Sequence, residues 1–145
     1  MKKVAVKLLS LMLAFMVMFG AAGMTASAAS KDAKCKSFCK ELNKGNKFGK
    51  TIGSYKVKYK KQNGKYQFTV TLNTNVGLGN YQMVKAMVPD KYYETRDSFK
   101  KTIKKLKKKA KKAGIKKASF TYIIKASGEK LWEFQDDELV YDRFE

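Results

Sequence analysis

Residues 98–113 read SFKKTIKKLKKKAKKA, and the fold follows from this stretch. Phe99, Ile103, Leu106, Ala110 and Ala113 recur at spacings of 4, 3, 4 and 3. At about 100° per residue they fall within roughly 40° of one line along a helix. Lys100, Lys101, Lys104, Lys105, Lys107, Lys108, Lys109, Lys111 and Lys112 lie on the other side. The spacing predicts an amphipathic helix with a narrow apolar seam and a cationic back. A helix of this kind draws most of its stability from whatever covers the seam, so the flanking chain should supply that cover.

Downstream, Gly114 is placed as a C′ glycine, with Ile115 behind it for the usual hydrophobic contact. Residues 117–125 read as a strand and 129–135 as its hairpin partner. A three-residue loop of Ala126, Ser127 and Gly128, with Gly128 left-handed, sets Lys125 opposite Glu129, Tyr122 opposite Trp132 and Phe120 opposite Phe134. Phe120, Tyr122, Ile124, Trp132 and Phe134 then share the face that receives the helix seam. Asp136 and Asp137 form a turn, and 139–144 can add a last short strand.

Upstream, Tyr55, Val57 and Tyr59 alternate with Lys56, Lys58 and Lys60, and Tyr66, Phe68, Val70 and Leu72 alternate with Gln67, Thr69 and Thr71. Asn63-Gly64 between them is a two-residue type I′ turn. That turn pairs Tyr59 with Phe68, Val57 with Val70 and Tyr55 with Leu72, the same register the apolar pattern requires. Residues 75–80 read as a glycine-rich loop, and 81–88 fit a helix or a strand. Pro89-Asp90 redirects the chain, and the main helix should begin between Asp90 and Ser98.

Residues 30–44 form a short helix, with Cys35, Phe38, Cys39 and Leu42 on one face, Ser30 or Asp32 as cap and Gly45 as terminator. Both cysteines then lie on the apolar stripe as small core residues. The alternative is a local Cys35–Cys39 disulfide, which would distort the helix because an i,i+4 pair does not reach bonding geometry in a regular one. The expected class is α+β: an antiparallel sheet of four to five strands, with the long lysine-rich helix and the short N-terminal helix packed on one face.

The chain has 145 residues, 32 basic against 12 acidic, no histidine and one proline. Lys2, Lys3 and Lys7 precede an apolar run over 8–19 and a small-residue exit ending Ala26-Ser27-Ala28. This is the pattern of a secretory signal peptide over 1–28, cleaved before Ala29, leaving one domain over 29–145 that is secreted or held at the outer cell surface. Residues 45–51, GNKFGKT, invite comparison with a phosphate-binding loop. They place three residues between the glycines where that motif needs four, and no strand precedes them.

The segment FTYIIKASGEKLWEF, residues 120–134, within a helix–hairpin–helix–hairpin order, resembles small exported domains of unknown function from Gram-positive gut bacteria. The resemblance implies the same order of elements and brings no catalytic residues. This chain departs from it in being strongly basic.

Without histidine, Ser-His-Asp, Cys-His and histidine-metal chemistry are excluded. A carboxylate pair is formally sufficient for hydrolysis, but Asp136-Asp137-Glu138 reads more simply as a solvated turn or a counter-charge for lysines. A non-enzymatic role without cofactor or metal is expected. The expected partner is an anionic cell-wall or surface polymer, or an acidic membrane surface, met electrostatically by Lys100, Lys101, Lys104, Lys105, Lys107, Lys108, Lys111 and Lys112 together with Lys56, Lys58 and Lys60. Lysine in place of arginine suits diffuse attraction over bidentate recognition. The alternative is a membrane-active, bacteriocin-like protein that turns the 98–113 seam into lipid. Nucleic acid is a less favoured partner, and a monomer is expected.

Overall fold

The computed structural model describes residues 30–44 and 53–145. The expected signal peptide and the phosphate-loop comparison at 45–51 fall outside the described residues.

The first hairpin is built as its sequence dictates. Strand β1 (Gly53–Gln62) and strand β2 (Lys65–Thr74) are joined at Asn63 and Gly64. Both turn residues take positive φ, 52° and 74°, which a type I′ turn requires. Tyr59 pairs with Phe68, Val57 with Val70 and Tyr55 with Leu72. Helix α1 (Lys31–Asn43) is capped by the Ser30 hydroxyl, which accepts from the Ala33 amide at 3.3 Å. It packs Cys35, Phe38, Cys39 and Leu42 against this hairpin. The Phe38 and Phe68 rings meet edge to face at 5.3 Å. At its C-terminus the Asn43 amide donates to the Val57 carbonyl and accepts from the Val57 amide, both at 2.9 Å, and the Tyr55 hydroxyl donates to the Leu42 carbonyl. The helix is regular, and Cys35 and Cys39 stand in it as buried free thiols.

After β2 come helix α2 (Leu78–Met87) and helix α3 (Pro89–Lys112). The ambiguous 81–88 segment is therefore helical as far as Met87, and residues 78–80, expected as part of a glycine-rich loop, instead form the first turn of this helix. Helix α3 starts earlier than the apolar seam suggested. Pro89 occupies its first turn, where a missing N–H costs nothing, and Tyr92 and Thr95 extend the buried seam ahead of Phe99. The other end closes as expected. Gly114 has φ +86°, the Ile115 amide donates to the Ala110 carbonyl at 2.9 Å, and the Gly114 amide donates to the Lys111 carbonyl at 3.1 Å. These two bonds form a Schellman cap.

Strand β3 (Ala118–Ala126), strand β4 (Glu129–Gln135) and strand β5 (Glu138–Asp142) complete a five-stranded sheet in the order β1-β2-β3-β4-β5. The sheet is mixed, which corrects the antiparallel expectation. β2 and β3 run parallel, with Phe68 beside Phe120, Val70 beside Tyr122 and Leu72 beside Ile124. The helical connection from β2 carries the chain back to the end where β2 began, so β3 enters in the same direction; a parallel pair requires such a crossover. The second hairpin also differs in register. Ser127 and Gly128 both take positive φ, 47° and 88°, so the turn has two residues and Ala126 faces Glu129. A bulge follows, and Tyr122 pairs with Phe134 and Ile124 with Trp132. The extra residue lets Leu131 and Trp132 both be buried.

The three helices among the described residues cover one sheet face. Phe99 of α3 sits against Tyr122, Trp132 and Phe134, with ring centroids 5.4, 5.9 and 6.3 Å away. A polar chain ties the C-terminal strand to α3: the Trp132 indole donates to the Tyr92 hydroxyl at 2.8 Å, which donates to Asp142 at 2.9 Å, and Arg96 donates to the other Asp142 oxygen at 2.8 Å.

Tyr92→Phe deletes the middle of this chain and leaves a buried indole N–H without its acceptor. It should lower stability by about 1–3 kcal/mol, whereas Lys108→Ala on the outer face should stay within about 0.5 kcal/mol. Urea unfolding followed by Trp132 emission measures both.

Candidate functional site

Burial of the seam fixes where the lysines of α3 point. Phe99, Ile103, Leu106 and Ala110 are fully buried, so Lys101, Lys104, Lys105, Lys108, Lys111 and Lys112 face solvent. They follow the i, i+3, i+4, i+7 ridge and form one stripe along the outside of the helical layer. Lys100, Lys107 and Lys109 flank it half-buried. Among the described residues, Lys101, Lys105, Lys108, Lys111 and Lys112 enter no direct ion pair.

Lys104 of the stripe and Lys107 on its flank anchor the helix. Lys107 pairs with Asp136 at 2.8 Å and Lys104 with Asp137 at 3.7 Å. Asp136 also accepts from the Phe120 amide at 3.1 Å and the Ser119 hydroxyl at 3.3 Å. Burial alone would raise its carboxyl pKa; Lys107, the Phe120 amide and Ser119 outweigh that and hold it below the usual aspartate value. The turn is thus a counter-charge for the helix. Like charge is felt on the flank: burial and the neighbouring Lys105 ammonium both push the Lys109 pKa down.

At its C-terminal end the stripe runs into a depression of about 400 Å³ lined by Lys31, Lys34, Tyr66, Ile115, Lys116 and Lys117. The Lys34 side chain lies over Gly114, where a Cβ would come within 2.8 Å of its ammonium. Sequence reasoning missed these four lysines. Only the Lys116-Lys117 pair after the helix terminator hinted at them, because Lys31 and Lys34 arrive from α1.

The structure does not bring Lys56, Lys58 and Lys60 to this surface. They alternate with the buried Tyr55 and Val57 on β1 and so project from the sheet face that carries none of the described helices. Helix back and strand lysines stand on opposite sides of the domain. That face has a shallow depression of about 550 Å³ lined by these three lysines with Gln67, Thr69, Thr71 and Asn73, and also by Ser54, Tyr55 and Tyr59.

The cysteines face the core. Burial, helped by Asp32, pushes the Cys35 thiol up to about 11, and burial with Cys35 beside it pushes Cys39 up to about 12. Neither is a thiolate near neutral pH, so neither has the chemistry of an activated nucleophile. Among the described residues no three metal-ligating side chains cluster, no helix is long and apolar enough to cross a membrane, and Met87 and Val140 are the exposed large hydrophobics. Comparison with known protein families, curated proteins and solved structures finds no match to this chain.

A folded-state pKa below the unfolded one stabilises above the unfolded value and loses that contribution as pH falls through the folded one. Asp136→Asn should therefore lower the urea midpoint at pH 7, and the gap to the parent should shrink as pH drops below about 4. Unfolding curves recorded between neutral and acid pH give both quantities.

Proposed function

We propose that this protein is an exported, non-enzymatic binding module that holds anionic cell-wall or surface polymers against the lysine stripe of α3. One observation carries the reading: five exposed lysines, Lys101, Lys105, Lys108, Lys111 and Lys112, lie along one ridge with no direct ion pair among the described residues. Glutamate at i±4 on that ridge would stabilise the helix by about 0.2–0.5 kcal/mol per pair, and like charges oppose it by similar amounts. A solvated helix back would mix both signs, whereas this one is almost wholly cationic and is held rigid by a buried seam, a Schellman cap and the Asp136 anchor.

Attraction by such a ridge is diffuse. Its binding energy comes from counterions released when ammonium groups replace them along the polymer, so affinity falls steeply with salt. Lysine suits this role, because a compact, flexible point charge needs no fixed donor geometry. Lipid insertion through α3 would first require the seam to leave Phe134, Tyr122 and Trp132, so a membrane-active role calls for unfolding before contact.

The test uses the protein as its host processes it, with its N-terminus read by mass spectrometry and fluorescent poly(glycerol phosphate) as probe. Changing Lys101, Lys105, Lys108 and Lys112 together to Gln should weaken binding at low salt by at least about tenfold and reduce the salt slope by about 3. Trp132 emission should be blue throughout. Emission that starts red and turns blue only on acidic vesicles would replace this reading with membrane action.

A further inference from the structure

The bare sheet face is a second cationic surface, chemically distinct from the helix stripe. Lys56, Lys58 and Lys60 stand at alternate positions of edge strand β1. Across the ladder, Lys56 faces Thr71, Lys58 faces Thr69 and Lys60 faces Gln67. The next strand adds Thr121 beside Thr69 and Ser119 beside Gln67. Lys58 and Lys60 therefore each begin a row of uncharged hydrogen-bonding side chains, whereas the Lys56 row passes from Thr71 to Ile123 and Glu133; the rows repeat every two residues, about 6.7 Å along the strand. Lysines on an edge strand also discourage pairing with another chain. That accounts for charge on β1 but not for the hydroxyl rows beside it.

The two cationic surfaces are electrostatically independent. A sheet and a helix about 10–12 Å across lie between them, which puts their ammonium groups on the order of 20 Å apart. The screening length at physiological salt is about 8 Å. A polymer bound on α3 therefore neither neutralises nor occupies the β1 rows.

We infer that the open sheet face is a second polyanion site, so that one molecule bridges two phosphodiester-linked polymer chains, one on α3 and one along β1 and β2. This rests on the polymer-binding reading of α3 and adds cross-linking to it. Charge complementarity names the class of partner. The aromatic side chains of β1 and β2 lie on the helix-covered face: Tyr55, Tyr66 and Phe68 are buried and Tyr59 is half-buried against Phe68. Tyr55 and Tyr59 also line the depression, but Tyr55 is buried and Tyr59 packs on Phe68, so neither ring stands free among the lysine and threonine rows as a stacking platform for bases does. A base-free polymer such as poly(glycerol phosphate) fits best.

A sandwich assay tests this on the processed protein. Poly(glycerol phosphate) is fixed to beads, protein is loaded and washed, and fluorescent poly(glycerol phosphate) is offered. The parent protein should capture the second chain. Lys56→Gln, Lys58→Gln and Lys60→Gln combined should still load the beads but capture at least about fivefold less. Lys36→Gln, Lys40→Gln and Lys44→Gln combined remove equal charge from exposed positions of α1 and its C-cap and should leave capture within about twofold. Loading without capture by the parent overturns bridging and leaves the α3 reading intact. Equal capture losses in the two triple variants overturn the assignment of the second site to β1. Failure of the parent to load at all overturns the α3 reading itself. Stronger capture of oligodeoxythymidine at equal charge overturns the choice of a base-free polymer.

Discussion

The burial of Phe99, Ile103, Leu106 and Ala110 is the constraint from which the rest of the molecule follows. These four positions are fully buried, and each large side chain contributes about 1.5–3 kcal/mol through removal from water. Phe99 meets rings from β3 and β4, so the same contact that stabilises the helix also fixes its rotation about its own axis. Once that rotation is set, Lys101, Lys104, Lys105, Lys108, Lys111 and Lys112 point outward. The orientation of the lysine ridge is a consequence of core packing. Its charge is not, because glutamate would have served the core equally well.

Several local constraints hold this arrangement against the repulsion that a net charge of +20 implies. The Schellman cap at Gly114 ends the helix on its own backbone. Lys107 and Lys104 attach it to the turn at Asp136 and Asp137. At the other end, Asp142 accepts from Tyr92 and Arg96, and Arg96 also stacks 4.8 Å from the Tyr93 ring centre. Carboxylates thus meet α3 near its N-terminal end and on its flank at Lys104 and Lys107, and among the described residues none pairs with Lys101, Lys105, Lys108, Lys111 or Lys112. The domain is stabilised at its seams and left cationic where solvent meets it.

How much of this was legible depended on how local each signal was. The β1–β2 register could be read because Asn63-Gly64 and the apolar alternation gave the same answer independently. The second hairpin could not, because Ser127 takes a left-handed φ that its residue type does not announce, and because the Leu131 bulge breaks the period-2 pattern. The start of α3 was hidden by Pro89, which signals a break and a first-turn helical residue equally well, and by a seam continued in Tyr92 and Thr95. Parallel pairing of β2 and β3 depends on where a two-helix connection returns the chain, which no local pattern encodes. The same logic divides the candidate site. The α3 ridge follows from periodicity alone. The separation of Lys56, Lys58 and Lys60 from it depends on which sheet face the helices cover, and the grouping of Lys31 and Lys34 with Lys116 and Lys117 depends on α1 docking beside Gly114.

A prefolded domain that presents α3 outward makes a residue-by-residue claim. Backbone amide resonances of the isotope-labelled protein, followed while poly(glycerol phosphate) is added at low salt, test it most directly. Shifts confined to 101–117 and the exposed lysine surfaces, with the amides of Phe120, Tyr122, Trp132 and Phe134 unmoved, are the predicted result. Collapse of the core resonances on polymer addition, or shifts that avoid α3, would contradict it.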